Sequence, residues 1–189
     1  MTDLSDETLR QIAGHYREIL KLIGEDMDRD GLVKTPERAA KAIAYCTRGY
    51  RQDLDKVING AMFDSAGGNL VVVRDIEFYS LCEHHILPFF GHVTVGYLPG
   101  AKIVGLSKIA RIVDMYARRL QVQERLTDEL AGVLTNVLGA RGVIVKCVAR
   151  HLCMAMRGVS KEDSSTVTMA ATGLLKTDAD LRAEFFASI

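Results

Sequence analysis

The sequence carries no excess of either charge. Lys plus Arg and Asp plus Glu each number 24 in 189 residues, so no global basic field points to nucleic acid. An anionic ligand would have to be met by a local cluster of cations. No basic segment followed by an apolar one opens the chain. No apolar run approaches the roughly 18 residues of a membrane span, and the sequence therefore predicts neither export nor anchoring. Cysteine is scarce and uneven, at positions 46, 82, 147 and 153. A chain of this length buries its own core without covalent staples, which predicts reduced thiols and a cytoplasmic setting. Repeats with a period of roughly 20 to 50 residues and low-complexity tracts are also missing, which excludes solenoids and tandem arrays. What remains is 48% hydrophobic and 25% charged, suited to one globular domain with a helical appendage.

The chemistry is concentrated in one stretch, Ser80-Leu81-Cys82-Glu83-His84-His85-Ile86-Leu87-Pro88-Phe89. Cys82 and His85 stand three apart, a spacing that a helical or tight turn brings to one side. Thiolate sulfur and imidazole nitrogen suit zinc, but two ligands do not hold a metal. A second candidate group is Arg150-His151-Leu152-Cys153, at the end of an alternating apolar run. On a strand, His151 and Cys153 would project from one face. The pool of Cys82, His84, His85, His151 and Cys153 exceeds a closed tetrahedral site. It fits three ligands, an open water position and two imidazoles for proton transfer. Spacing alone also leaves open a structural zinc site, or buried thiols and histidines without metal.

Along the chain, residues 5–23 predict a helix. Ser5 caps it, Leu9, Ile12, Ala13, Tyr16, Ile19, Leu20 and Ile23 form its stripe, and Gly24 ends it. Thr35 and Pro36 predict a second helix, capped by Thr35 and running to about Arg48. A short helix over 53–61 and a Gly67-Gly68 turn close this helical third. Then the period changes. Residues 70–78 and 92–98 read as two antiparallel strands, with the Cys82–Pro88 segment connecting them. Two helices follow, 107–118 with Ser107 as cap and 122–138, then a strand over 142–154, a strand over 166–171 and a closing helix over 177–188. Cys147 lies six residues before Cys153, roughly 20 Å along a strand, too far to share its metal.

Two further constellations concern ligands. Ser107, Lys108 and Arg111 place a hydroxyl and two cations on the first turn of a helix, an arrangement that suits phosphate, with Arg157 able to add a contact, or that is a plain solvated basic helix face. Arg38 at a helix start is an oddly placed cation, open to an anion-facing role or to plain solvation. Gln123 and Glu124 could pair with the amide edge of a purine, or be ordinary first-turn residues.

Taken together, these motifs resemble GTP cyclohydrolase I. The resemblance runs from Thr35-Pro36-x-Arg38 through Cys82-Glu83-His84-His85, Gly105-Leu106-Ser107-Lys108-x-x-Arg111, Gln121-Val122-Gln123-Glu124-Arg125-Leu126-Thr127 and His151-x-Cys153-x-x-Arg157-Gly158 to Thr168. It implies Cys82, His85 and Cys153 as zinc ligands, and His84 and His151 as acid–base groups with Ser107 assisting. Gln123 and Glu124 are implied to read guanine, and Ser107, Lys108, Arg111, Arg157 and Arg38 to contact ribose and triphosphate. The implied fold is α+β, the tunnelling fold: a β-β-α-α-β-β antiparallel sheet with helices on one face, over 67–189, behind a helical arm over 1–66. The implied assembly is a homodecamer of two stacked pentamers with sites at subunit interfaces. The implied reaction opens the imidazole ring of GTP, releases formate from C8 and yields 7,8-dihydroneopterin triphosphate, the entry to pterin and tetrahydrofolate synthesis.

Overall fold

The computed structural model describes residues 4–65 and 67–189. Helix α1 spans Asp6–Leu22. Ser5 accepts from the Thr8 N–H, and Asp6 and Glu7 lie in the first turn, where carboxylates favour the positive end of the helix dipole. Ala13 is the buried residue of the stripe, while Ile19, Leu22 and Ile23 stay exposed. Helix α2, Thr35–Cys46, packs against α1. The expected cap is corrected here: the Thr35 hydroxyl donates to Gly31 O, and the N-cap is Lys34 without a side-chain bond. The helix also stops before Arg48. The Gly49 N–H donates to Arg118 O instead of continuing the helix, and a 3₁₀ turn follows over Arg48–Arg51. Helix α3, Leu54–Ile58, is capped by Asp53 and ended by a left-handed Asn59.

Strand β1, Met62–Asp64, pairs with β4, Lys102–Val104, in a small antiparallel ribbon. Three residues are too few to carry a period, so the sequence reading missed both. The expected boundary at residue 66 falls on Ala66, outside the described residues. β1 lies N-terminal to it, yet pairs with a strand beyond it.

The main sheet contains β2 (Val71–Cys82), β3 (Pro88–Leu98), β5 (Leu120–Gln121), β6 (Gly142–His151) and β7 (Thr166–Ala171), in the order β5-β2-β3-β6-β7. Its pairs are antiparallel except β2–β5. Helices α4 (Leu106–Ala117) and α5 (Gln123–Leu138) connect β3 to β6 around β5. They bury Ile109, Ile112, Leu126, Leu130 and Leu134 against Phe78, Phe89, Val93, Val95, Val145 and Cys147 of the sheet. The period-2 positions of the strands supply one wall, and the 3.6-period positions of the helices supply the other. The result is the β-β-α-α-β-β order of an α+β tunnelling fold.

A smaller layer covers part of the opposite face. The closing helix expected over 177–188 is α8, Ala179–Ala187, capped by the Asp178 carboxylate, and a short helix that the sequence pattern does not predict, α7, Gly173–Thr177, precedes it. Leu175 and Phe185 pack there on Ile144. Gly96 makes this possible, since a Cβ there would sit 2.6 Å from the Phe185 ring.

Candidate metal centre and active site

The reactive stretch is the turn of a long hairpin. β2 and β3 stay paired to Leu81 and Pro88, so Cys82 ends a strand instead of starting a loop as expected. Ile86 N donates to Cys82 O at 2.7 Å, and Cys82 N donates to Leu87 O at 2.8 Å. This helical turn sets His85 Nδ1 3.8 Å and His84 Nδ1 3.9 Å from Cys82 Sγ. Closing it places Ile86 at φ +56°, a left-handed conformation that β-branched residues rarely adopt. The turn is strained and held by its neighbours.

Cys153 arrives differently from the expectation. β6 stops at His151, and the chain winds into a short helix, α6, Leu152–Ala155, with Met156 N donating to Leu152 O. His151 and Cys153 therefore do not share a strand face. The helical turn nevertheless brings the Cys153 thiol to the hairpin: the ligand atoms of Cys82, His85 and Cys153 all lie within 4.8 Å of one another. Two thiols and an imidazole form a zinc-type donor set. The 3.8 Å from Cys82 Sγ to His85 Nδ1 is close to the edge of a tetrahedron with zinc–sulfur and zinc–nitrogen arms, about 3.6 Å. The residues fit the metal. Burial, with Cys82 beside it, pushes the Cys153 thiol up, the electrostatic signature of two sulfurs that a cation would relieve.

His151 and His84 stand outside the ligand group. The His151 ring lies parallel to that of Phe89, its cross-strand partner, with centroids 4.6 Å apart. Its Nε2 is 2.8 Å from Gln123 Oε1. Burial lowers its pKa, against an opposing pull from the Glu124 carboxylate. Glu124 is exposed on the first turn of α5.

Gln123 differs from the expectation. Its side chain, assigned to a purine edge, is buried, with Nε2 donating to Cys147 O, Thr166 O and Thr168 Oγ1. Its hydrogen-bonding capacity is used inside the fold. A second network, also unforeseen, holds the hairpin turn. Gln121 Nε2 donates to Glu129, Gln121 Oε1 accepts from Arg125 Nε, and Arg125 pairs with Glu83. Arg125 accordingly holds the Glu83 carboxyl below its ordinary range. Gln121 ends β5 and Arg125 lies in the first turn of α5, so no helical spacing announced the pair.

The expected phosphate contacts are spread out. Ser107 is exposed in the first turn of α4 but does not cap it; the N-cap is Gly105, because the turn begins one residue earlier. Lys108 is buried under α3, its Nζ donating to Val57 O at 3.2 Å. Arg111 lines a cavity of about 390 Å³ with Arg51, Lys56 and Asp114. Arg157 stands close enough to the Cys153 thiol to oppose its upward shift. Arg38 faces a cavity of about 600 Å³ with Arg17, Lys34 and Lys41.

Comparison with known proteins accords with this geometry. A Pseudomonas aeruginosa protein named GTP cyclohydrolase 1 2 is 53% identical over 93% of this chain and 97% of its own length. The Deinococcus radiodurans GTP cyclohydrolase 1 is 54% identical over 92% of this chain and 80% of its own. The Drosophila melanogaster GTP cyclohydrolase 1 is 52% identical over 94% of this chain and 55% of its own. The family model described as GTP cyclohydrolase I matches residues 12–189, the hairpin turn, His84, His151 and Cys153 included. The chain is an enzyme of the GTP cyclohydrolase I family.

Proposed function

We propose that this chain hydrolyses the imidazole ring of GTP, releases C8 as formate and rebuilds the remainder as 7,8-dihydroneopterin triphosphate, the first step towards pterins and tetrahydrofolate. The observation that carries this reading is the Cys82–His85–Cys153 group, flanked by two histidines outside the ligand set. Purine C8 is a poor electrophile. When bound to these three residues, zinc would supply an activated water at neutral pH. His151 moves a proton to purine N7, which makes C8 attackable. His84 and Ser107 serve the later proton transfers of ribose isomerisation and ring closure. Glu124 accepts from the guanine N–H edge; the Gln123 amide is committed elsewhere, so purine reading rests on Glu124. Arg111, Arg157 and Arg38 meet the triphosphate, and Lys108 joins them by exchanging Val57 O for a phosphate oxygen.

The assembly is a homodecamer of two pentamers with sites between subunits. β7 ends the sheet and exposes Val167 and Met169, which supports edge-to-edge continuation into a neighbour. Residues 1–66 act as an arm to the catalytic domain over 67–189, and Arg38 reaches the neighbouring site. Four free thiols support a reducing, cytoplasmic setting, and no helix of the described residues is long and apolar enough to cross a membrane.

The test is incubation of the zinc-loaded protein with GTP. Formate and a pterin, fluorescent after oxidation, should appear in equal amounts. Bound zinc and bound GTP with neither product would reduce the chain to a silent binding protein on this fold.

A further inference from the structure

The side chain hydrogen-bonded to His151 is itself held on several sides. Gln123 is 1% exposed. One atom of its amide lies 3.1 Å from Cys147 O, 3.0 Å from Thr166 O and 3.1 Å from Thr168 Oγ1. Two of those neighbours are carbonyl oxygens, which only accept. The atom facing them must be the nitrogen. The third neighbour agrees. Thr127 Oγ1 lies 2.7 Å from Gln123 O, again a pure acceptor, so the Thr127 hydroxyl donates there. Thr127 Oγ1 is also 2.6 Å from Thr168 Oγ1. With the Thr127 proton already used, Thr168 donates to Thr127 and offers its lone pairs to Gln123. Every hydroxyl and amide in the chain then has one consistent direction.

That direction fixes the other end of the amide. Gln123 Oε1 faces His151 Nε2 at 2.8 Å, and a carbonyl oxygen can only accept. Nε2 must carry a hydrogen. We infer that Gln123 is a positioning residue that holds His151 in the Nε2–H form, leaving Nδ1 as the nitrogen that exchanges a proton with the substrate. The Nδ1 atom has no hydrogen-bond partner among the described residues, which leaves it free for that use. Phe89 completes the clamp: its parallel ring, 4° from that of His151, fixes the ring plane while Gln123 fixes rotation within it. Without the acceptor, the neutral imidazole would divide between two tautomers, and half-turns of the ring would present the wrong nitrogen. This role replaces a direct purine contact for the Gln123 side chain. It rests on the reading of His151 as the proton carrier.

Labelling the ring nitrogens of histidine with ¹⁵N in the zinc-loaded full chain tests the idea without any variant of Gln123. There are five histidines, and the signals lost in His151→Ala identify the pair in question. The wild type should show a protonated Nε2 and a bare Nδ1. The opposite assignment would overturn the inference whatever the activity. Gln123→Met, close in size but without an acceptor, should mix the two tautomers. It should lower kcat on the order of 10²-fold while KM for GTP moves less than about threefold and zinc content stays unchanged. A variant that keeps both the tautomer and kcat also overturns it. Should Gln123→Met fail to fold, the wild-type spectrum still decides, and Thr168→Val, which loosens the amide from one side, should show the same mixing to a smaller degree. Absence of GTP turnover in the wild type would instead count against the functional reading, since the tautomer is read independently of it.

Discussion

The two halves of this chain treat polar side chains in opposite ways. Around the sheet, Ser80, Thr94, Lys108, Gln121, Gln123 and Thr127 are the buried polar residues, and Gln121, Gln123, Thr127 and Lys108 each have named partners. In the arm of α1 and α2, none of the buried side chains is polar or charged among the described residues. Its cations Arg17, Lys34, Arg38 and Lys41 instead share an open cavity. A polar group taken out of water must find a partner, and around the sheet most do so within the chain, with Arg119 Nε a buried exception. An exposed cation loses nothing by waiting. The same arm also exposes Ile19, Leu22 and Ile23.

The largest way to break this contrast is to remove the metal ligands. Cys82→Ala, His85→Ala and Cys153→Ala should each lose zinc and all measurable turnover while keeping their helical circular dichroism, because Cys82 and Cys153 are only two small members of a core that α4, α5 and the sheet otherwise fill. Metal analysis beside dichroism checks this. Stoichiometric zinc in any one variant would remove that residue from the ligand set, and unfolding of all three would make the site structural.

The next concerns the arm. Arg38→Ala and His151→Ala should each be nearly inactive alone. If the two residues serve one site from different chains, unfolding them together and refolding with zinc should restore about a quarter of the sites, one half times one half in a closed ring. If one chain supplies both, every site keeps a defect and mixing restores nothing. Mass measurement of the mixed assembly makes a negative result decisive against the shared site.

The same contrast explains what could be read from the sequence. Long periodic segments were legible: α1, α5 and β7 fall at or within one residue of their expected bounds, because each carries a full apolar face. The Cys82–His85 pair was legible because a turn is local. Cys153 was legible as a ligand candidate but not in its place, since two residues after a strand do not reveal that the strand ends and winds into α6. The Gln123 network was not legible for the same kind of reason. Its partners Cys147, Thr166 and Thr168 lie 24 to 45 residues away, and no spacing rule connects a helix start to two later strands. The Thr35 and Ser107 caps failed more simply: α2 begins at Thr35 itself and α4 one residue before Ser107, so neither hydroxyl precedes its helix.

A milder probe separates the two neighbours at the start of α5. Glu124→Gln replaces an acceptor with a mixed group opposite guanine donors, a mispairing worth roughly 1–3 kcal/mol. Its kcat/KM for GTP should fall by about 10-fold to 100-fold, mostly through weaker binding, with the His151 tautomer undisturbed. An unchanged kcat/KM would return Glu124 to an ordinary first-turn carboxylate, and loss of kcat alone would place it with Gln123.

The smallest expected effect tests how closed the half around the sheet is. Cys147 is fully buried on β6, below the Gln123 amide that donates to its carbonyl. Burial pushes its thiol from the ordinary 9.0 up to about 12, against a weaker opposite pull from the Thr168 and Thr127 hydroxyls. A raised thiol pKa means that the folded chain keeps the proton longer than the unfolded one. The contribution is therefore fully present below about pH 9 and is lost as pH rises from there towards 12. At pH 10 the wild type should have given up about 1.4 kcal/mol through this one group. Cys147→Ala starts less stable near neutrality because of the small cavity it leaves, but lacks that loss. Denaturant titrations of both proteins at pH 7 and pH 10 should show the gap between them narrowing by about that amount. A gap that stays constant would mean that the Cys147 thiolate is tolerated in the native state, and that water reaches the layer between α5 and β6.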